Sequence, residues 1–249
     1  MLPFKLASLE KAALGQQKDQ TDQTTQQSKI PAKLPRVRQW AGLCVDGLPF
    51  IFMGVSLTVA VYYFFGPITA VPLSILTGLV VWFFRDPERQ IPQDERVLLS
   101  PADGKVIDIR RVRYPRLLEG EATKVSIFMS VLNVHVNRIP FGGIIRQVQR
   151  NPGKFFVAHA EKASLDNEQV AVVLDTYRGA PLMFVQIAGM LARRIVCRLK
   201  VGERVDRGER FGLIRFGSRC DIYLPDAVEA QVKLGENVTG GETVIGKFK

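Results

Sequence analysis

The sequence predicts a mainly β fold, a β-sandwich or barrel with repeated hairpins, preceded by an N-terminal apolar helical hairpin. From Val97 onward, short apolar runs rich in β-branched residues alternate with glycine and proline, which is typical of all-β domains. A ten-residue pattern occurs twice near the C-terminus, and two uncharged apolar stretches precede Arg85. With 249 residues, the chain is long enough to bury one good-sized core beside such a hairpin.

The first 35 residues are polar and rich in glutamine. They contain too few apolar side chains to bury a core, so we expect a disordered tail. No apolar run of the secretory type follows Met1, and no secretory signal is expected. The predicted organisation is a disordered polar tail over 1–35, a membrane-associated helical hairpin over 36–90 and a β domain, which carries the candidate site, over 91–249.

The two apolar stretches, Leu48–Phe65 and 68–84, are separated by Gly66 and Pro67 and contain no charged residue. Each is close to the minimum length for crossing a bilayer core. Basic residues flank the pair on both sides, which places both ends in the cytoplasm and the turn on the far side. This predicts a protein of the cell (inner) membrane with a cytoplasmic β domain. A buried hairpin in a soluble core and a shallow re-entrant hairpin are the alternatives.

The net charge of +10 indicates an anionic partner. The basic residues are not clustered with aromatic residues on one segment, so an anionic membrane is favoured and no nucleic acid partner is expected. The three cysteines have no CxxC spacing, which fits a reducing compartment. The two histidines, His135 and His159, stand in unrelated contexts, and no metal site is expected.

The β domain contains one repeat. Residues 200–209 recur as residues 233–242 with six of ten positions identical, and each copy is predicted to form a turn, a short strand and a second turn. The pattern resembles the turns of lipoyl- and biotinyl-carrier domains, so the predicted β-sandwich has lipoyl-like repeated hairpins. A weak helical pattern surrounds residues 131–136. The predicted strands are 97–99, 105–109, 124–129, 143–148, 169–174, 182–187, 195–199, 211–216 and 222–224.

Ser218 follows Gly217 between two apolar runs. The simplest interpretation is a tight turn, because both residue types form turns. A serine in this position can also attack the carbonyl group of the preceding glycine if a base removes its proton. Asp103 and His135 provide the other groups of an Asp-His-Ser set, in which the imidazole takes the proton and the carboxylate orients it. Their structural alternatives are a turn aspartate and a hydrogen-bonded core histidine.

Four motifs together resemble the phosphatidylserine decarboxylase family, in its short, archaeal-type class. They are Phe-Phe-Arg-Asp-Pro-Glu-Arg at 83–89, Pro-Ala-Asp-Gly-Lys-Val at 101–106, Asn-Val-His-Val-Asn-Arg at 133–138 and the segment 212–218, which ends in Gly-Ser. The match is collinear from about residue 35 to the C-terminus. The joint set is far more specific than any single motif.

The resemblance implies a proenzyme that cuts itself between Gly217 and Ser218 into a β chain, 1–217, and an α chain, 218–249. Ser218 then becomes a pyruvoyl group, which would bind the amine of phosphatidylserine as a Schiff base and accept electrons while the lipid is decarboxylated to phosphatidylethanolamine. The implied catalytic residues are Ser218, His135 and Asp103. The implied partners are phosphatidylserine, an anionic membrane and the two chains of one precursor; a homodimer is also compatible with the sequence.

The chain departs from the longer family members, which carry a second histidine where this chain has Arg138. Arg193 and Arg194 are candidates for lipid binding, with a solvated turn as the alternative.

Two other functions also remain open. A non-catalytic membrane adaptor with a lipoyl-like β domain would stay intact and would not depend on Ser218. A serine hydrolase using the same three residues would stay uncut and react with fluorophosphonates.

Overall fold

The computed structural model describes residues 37–114, 117–153, 167–189, 194–215 and 218–249. These residues belong to one compact unit, Arg36–Lys249, so the helical hairpin and the β domain can be described together. The predicted tail, 1–35, lies outside the described residues. So do three residues named above, Gly217, His159 and Arg193.

The helical hairpin consists of α1 (Leu48–Phe65) and α2 (Pro67–Phe83), whose bounds agree with the two predicted stretches to within one residue. Each helix has proline in its first turn, where a backbone N–H would have no helical partner. Gly66 joins the helices with a φ of 87°, a conformation that favours glycine. The helices approach each other at hydroxyl residues, since Thr58 and Thr77 share a hydrogen bond of 3.2 Å.

The apolar side chains of the hairpin are largely exposed. Helix α1 contains no buried residue, and Tyr63 and Ile68 near the turn are 81% and 85% exposed. Helices that are apolar all round are stable where a nonpolar medium surrounds them. The segment Val45–Phe65 is long and apolar enough to cross a membrane, whereas Pro67–Phe83 is shorter.

The described residues form sixteen strands and a short 3₁₀ helix, Val45–Gly47, that precedes α1. In chain order the strands are β1 (Gln39–Trp40), β2 (Leu43–Cys44), β3 (Val97–Leu99), β4 (Gly104–Arg113), β5 (Glu121–Met129), β6 (Val136–Arg138), β7 (Gly143–Asn151), β8 (Gln169–Thr176), β9 (Pro181–Ala188), β10 (Ile195–Cys197), β11 (Arg204–Val205), β12 (Arg210–Ile214), β13 (Ser218–Pro225), β14 (Val228–Ala230), β15 (Asn237–Val238) and β16 (Val244–Phe248).

Within the described part of the chain, eight strands form one antiparallel sheet in the order β11-β7-β8-β9-β13-β5-β4-β15. The sheet curls into a half-barrel. Two three-stranded sheets, β10-β12-β6 and β14-β16-β3, complete the β domain. The main hydrophobic core includes alternate residues of the neighbouring inner strands β5 and β13, such as Val125, Ile127, Ile222 and Leu224. The mainly β fold with an N-terminal helical hairpin is therefore confirmed.

The sequence repeat is also a structural repeat. Gly202 and Gly235 occupy equivalent turns with φ values of 80° and 84°. In each copy a glutamate, Glu203 or Glu236, accepts a hydrogen bond from the backbone N–H three residues earlier. The short strands that follow, β11 and β15, pair with β7 and β4 at the two opposite edges of the eight-stranded sheet.

The weak helical candidate at 131–136 is wrong. Residues 130–133 form a turn in which Asn133 Oδ1 accepts hydrogen bonds from the backbone N–H and the hydroxyl of Ser130, and β6 begins at Val136. An asparagine side chain that binds nearby backbone competes with helical hydrogen bonding. The three valines of this short segment also favour extended structure.

Candidate active site

Ser218 is the first residue of β13 and lies between two neighbouring strands. It pairs with Met129 of β5 on one side and with Ala188 of β9 on the other, and it is fully buried. The Ser218 hydroxyl donates a hydrogen bond to the Met129 sulfur at 3.5 Å. Because a thioether is a weak acceptor, this buried hydroxyl is not tied to a strong partner. Ser218 itself is therefore a strand residue rather than a turn residue.

Two buried amides that the sequence analysis missed lie beside the serine. Asn137 Nδ2 is 3.8 Å from the Met129 sulfur, and Gln186 Nε2 donates to Asn137 Oδ1 at 2.8 Å. Gln186 Oε1 is buried and has no hydrogen-bond partner among the described residues. A buried acceptor without a donor is rare, which marks this side of Ser218 as a place for an external donor. Asn137 stands in the motif at 133–138, but nothing local distinguished Gln186.

His135 has one ring nitrogen engaged and the other free. Its Nδ1 lies 2.9 Å from the carbonyl oxygen of Asn133. A carbonyl oxygen can only accept, so the proton is on Nδ1. Nε2 is buried and has no hydrogen-bond partner within the described ranges, which leaves its lone pair available to a proton donor. This is the arrangement that a general base requires.

The surroundings of His135 keep the imidazole neutral. The residue is 1% exposed, and the ring of Phe83, the last residue of α2, has its centroid 4.2 Å from the imidazole. Burial lowers the pKa of His135 to about 4; the hydrogen bond to Asn133 opposes this change, and the positive charge of Arg85 adds to it. At neutral pH His135 is therefore in its basic, uncharged form.

His135 and Ser218 belong to the same buried region. The Met129 side chain contacts both Ser218 and Asn137, and Asn137 is two residues from His135 on the same segment. The backbone of β12 adds a second link, since the Ile214 N–H donates to the His135 carbonyl at 3.4 Å. The structure thus links these two predicted site residues through Met129, Asn137 and β12, while the described contacts include no hydrogen bond between His135 Nε2 and Ser218 Oγ.

The described contacts of the Asp103 carboxylate are with Arg89 and Gly240 and not with His135. Its carboxylate accepts hydrogen bonds from Arg89 Nη2 at 2.8 and 3.1 Å and from the Gly240 backbone N–H at 2.8 Å. Burial raises the pKa of Asp103, and the charge of Arg89 acts in the opposite direction. The described contacts include no hydrogen bond between Asp103 and His135. The position at Nδ1, where a triad carboxylate would bind, is taken by the Asn133 carbonyl.

Arg138, three positions after His135, belongs to a buried ion-pair network. Its Nη2 lies 3.2 Å from Asp86 Oδ1, and the fully buried Asp86 also binds Arg210 Nε, at 2.8 Å from Oδ2. The network joins the end of the helical hairpin to β6 and β12. Because an arginine stays protonated, Arg138 cannot act as a base in place of a histidine.

No cluster of metal-ligating side chains supplements these groups within the described part of the chain. The candidate site therefore consists of a buried serine, a neutral histidine with a free Nε2 and two buried amides. The Nε2 lone pair can accept the proton of the serine hydroxyl, and the serine oxygen can then attack an electrophilic carbon. This is the chemistry of nucleophilic covalent catalysis.

Comparison with known proteins shows which family the chain resembles. A family model described as Phosphatidylserine decarboxylase matches residues 76–246, a range that contains Asp103, His135 and Ser218. A phosphatidylserine decarboxylase proenzyme of Pelobacter propionicus is 45% identical over 213 residues, covering 83% of this chain and 96% of the relative. Proteins of the same name from Geotalea uraniireducens and Magnetococcus marinus are 45% and 44% identical, each over 82% of this chain and over 95% and 94% of the relative.

Proposed function

Because the chain belongs to the phosphatidylserine decarboxylase family, we propose that it converts phosphatidylserine to phosphatidylethanolamine after cutting its own backbone between Gly217 and Ser218. Family membership identifies the chain as an enzymatic decarboxylase, which disfavours the non-catalytic adaptor. The relatives carry the word proenzyme in their names, which supports self-processing in this chain as well.

The burial of Ser218 is the observation that carries the self-processing proposal. The residue is 0% exposed and lies between two paired strands. A hydroxyl in this position is closed to an external substrate while the chain is intact. Its nearest reactive carbonyl by chain connectivity is that of Gly217, to which it is covalently joined. Burial therefore favours attack on the protein's own backbone over the serine hydrolase alternative.

His135 supplies the base in this proposal. Nε2 accepts the Ser218 hydroxyl proton, and Oγ attacks the Gly217 carbonyl carbon, so the peptide bond becomes an ester. Removal of the Ser218 α-proton then expels the Gly217 carboxylate and leaves a dehydroalanine. Water converts this residue to a terminal pyruvoyl group and releases ammonia. No external oxidant or reductant is needed, because the elimination raises the oxidation state of the Ser218 α-carbon and lowers that of its β-carbon by the same amount.

The residues around Ser218 fit a pyruvoyl group at this position. A pyruvoyl carbonyl supplies an electrophile for the substrate amine and an electron sink for the loss of carbon dioxide. The free acceptor Gln186 Oε1 can bind an N–H of the substrate, and the amide of Asn137 holds Gln186 in place. His135 can take a proton from the substrate ammonium group and give that proton to the carbon that loses the carboxylate.

Asp103 is proposed as a positioning residue of the processed enzyme. After the proposed cut, Asp103 belongs to the β chain and Gly240 to the α chain, and their 2.8 Å hydrogen bond spans the two. Arg89 neutralises the carboxylate from the segment that follows α2. Asp103 thus fixes the α chain against the end of the helical hairpin, whereas Asn133 orients the imidazole.

The helical hairpin is proposed to hold the enzyme in the cell membrane with the β domain on the cytoplasmic side. Exposed Trp40 and Trp82 lie at the end of the hairpin that joins the β domain, as interfacial residues do. The Arg85 guanidinium stacks on the Trp82 ring at 4.1 Å and donates a hydrogen bond to the Leu132 carbonyl. These contacts hold the turn before His135 at the end of the hairpin where Trp82 lies. A lipid head group at this interface is therefore close to the candidate site.

Intact mass spectrometry of the purified full chain tests the proposal. The expected result is two polypeptides, 1–217 and 218–249, the second bearing a pyruvoyl mass at its N-terminus, and release of carbon dioxide from phosphatidylserine. Ser218→Ala should remain a single chain without activity, while the control Ser74→Ala, in α2, should be cut normally. A single uncut chain with full decarboxylase activity would refute self-processing. An uncut chain labelled by a fluorophosphonate at Ser218 would identify a hydrolase instead.

A further inference from the structure

Arg215 is a cation at the base of the helical hairpin that lacks a carboxylate partner in the described residues. It follows the last residue of β12, and its guanidinium lies over the ring of Phe50 in α1, 5.0 Å from the centroid. Its Nε is buried and has no hydrogen-bond partner among the described residues. A desolvated charged donor without an acceptor is costly, and an anion at the accessible end of this half-buried guanidinium would offset that cost by neutralising its charge.

The other arginines near this end of the hairpin are neutralised or solvated. Arg198 forms an ion pair with Asp46 at 2.6 Å. Arg85 donates hydrogen bonds to the carbonyl oxygens of Trp82 and Leu132. Arg194 is exposed, so water satisfies its donors. Arg89 Nε is also buried without a hydrogen-bond partner in the described residues, but the Arg89 guanidinium is neutralised by Asp103. Arg215 is therefore the partly buried arginine of this group that has an unsatisfied donor and no carboxylate partner among the described residues.

Arg215 is connected to the candidate site by backbone and by aromatic packing. The preceding residue, Ile214, donates its N–H to the His135 carbonyl. The Phe50 ring under the guanidinium stacks on Phe84 at 5.7 Å, and the neighbouring Phe83 packs against the imidazole of His135. The cation and the proposed base are thus held by the same aromatic cluster.

We propose that Arg215 binds the phosphodiester of the phospholipid head group and so presents the serine end of the lipid to residue 218. This inference rests on the proposed decarboxylase function and adds a substrate-binding residue to it. A guanidinium donates two parallel hydrogen bonds to the oxygens of a phosphodiester. The Phe50 ring beneath this guanidinium belongs to α1, one of the helices along which acyl chains would lie. The phosphate then lies at the level of Trp40 and Trp82.

Three full-length proteins test the proposal in neutral detergent micelles: wild type, Arg215→Gln and the matched control Arg198→Gln, which also removes one arginine from this end. Phosphatidylserine is the substrate, and dihexadecyl phosphate, a lipid phosphodiester without serine, is the competitor. We expect Arg215→Gln to raise KM and the inhibition constant of dihexadecyl phosphate about tenfold, with kcat changed less than about twofold. Arg198→Gln should match wild type in all three values.

Inorganic phosphate, tested as a competitor in parallel, separates a lipid site from a free-phosphate site. Its inhibition should be weak and equal in all three proteins. Inhibition that depends on Arg215 with inorganic phosphate but not with dihexadecyl phosphate overturns the lipid assignment. Equal KM and inhibition constants in Arg215→Gln and Arg198→Gln overturn the proposal itself.

A second measurement does not depend on maturation. Binding of dihexadecyl phosphate, carried in neutral detergent micelles, to the uncut Ser218→Ala chain should weaken about tenfold when Arg215→Gln is added and recover in part with Arg215→Lys, which keeps the charge without the planar fork. Unchanged binding contradicts the inference. If wild type is neither cut nor active on phosphatidylserine, the proposed function fails. If all three proteins are active with equal KM, the proposed function stands and only the role of Arg215 fails.

Discussion

The imidazole of His135 packs against the ring of Phe83, with 4.2 Å between the centroids and 34° between the planes. Phe83 ends α2, so the last residue of the helical hairpin forms one wall around the proposed base. The contact excludes water from a ring that must stay uncharged to accept a proton. The hairpin therefore shapes the candidate site in addition to its proposed role at the membrane.

Removing this wall should change the titration of His135. Phe83→Ala admits water to the imidazole, which should raise the His135 pKa from about 4 towards its ordinary value, because burial is the main cause of the low pKa. The same change should destabilise the chain by about 3 kcal/mol through the cavity. Histidine NMR on the uncut Ser218→Ala chain measures the pKa, since the chain has only two histidines, and His135→Gln assigns the signal. Phe64→Ala, at the exposed far end of α1, is the control and should leave the pKa unchanged.

Self-cleavage should tolerate acid. The neutral form of His135 is required, and its pKa of about 4 keeps that form dominant well below the ordinary pKa of 6.5. Precursor made by cell-free synthesis should therefore be cut at one rate from pH 8 down to about pH 5, with half the rate near pH 4. A rate that halves near pH 6.5 would show that the base is not this buried imidazole.

The same pKa shift predicts how stability changes with pH. The folded-state pKa lies below the unfolded-state value, so between about pH 6.5 and pH 4 the unfolded chain binds a proton that the folded chain does not. The His135 contribution is present in full above pH 6.5 and is lost as the pH falls to about 4. Denaturant unfolding of the Ser218→Ala chain should show this decline, and His135→Gln should reduce it. An identical decline in both chains would contradict the assignment.

The buried carboxylate of Asp86 should be essential for stability. Asp86→Asn leaves Arg138 and Arg210 without their buried counter-charge, which should cost about 3–5 kcal/mol of unfolding free energy. Asp94→Asn, which breaks an exposed ion pair with Lys247, is the matched control and should have little effect. Chemical denaturation of both variants in detergent measures the difference. Equal losses would mean that the buried network does not stabilise the junction.

The two proposed chains should remain associated after the cut. Strands β13 and β16 belong to the proposed α chain. In the β chain, β13 pairs with β5 and β9, and β16 pairs with β3. Because the β13 hydrogen bonds run through the middle of the half-barrel and β16 adds a second contact, the chains should elute together in native gel filtration and separate only in denaturant. Loss of residues 218–249 under native conditions would contradict the sheet topology.

The sequence predicted much of the fold because its signals are local. Turn residues between β-branched runs located most strands, and the ten-residue repeat predicted two short strands, which the structure places at opposite edges of the eight-stranded sheet. It failed at 131–136, where the side-chain hydrogen bonds of Asn133 outweigh a weak helical pattern. Ser218 and His135 were visible as chemically suited residues in distinctive motifs.

What the sequence alone determined about this protein is the identity of its chemistry-bearing residues and the order of its strands and helices. Tertiary structure decided how those residues are paired, because pairing depends on contacts between distant segments. Only the folded chain places Asn133 rather than Asp103 at Nδ1 of His135, joins Gln186 to Asn137, and leaves Nε2 without a hydrogen-bond partner in the described segments. Burial, which sets the pKa of His135 and closes Ser218 to external substrates, is likewise a property of packing that no local motif contains.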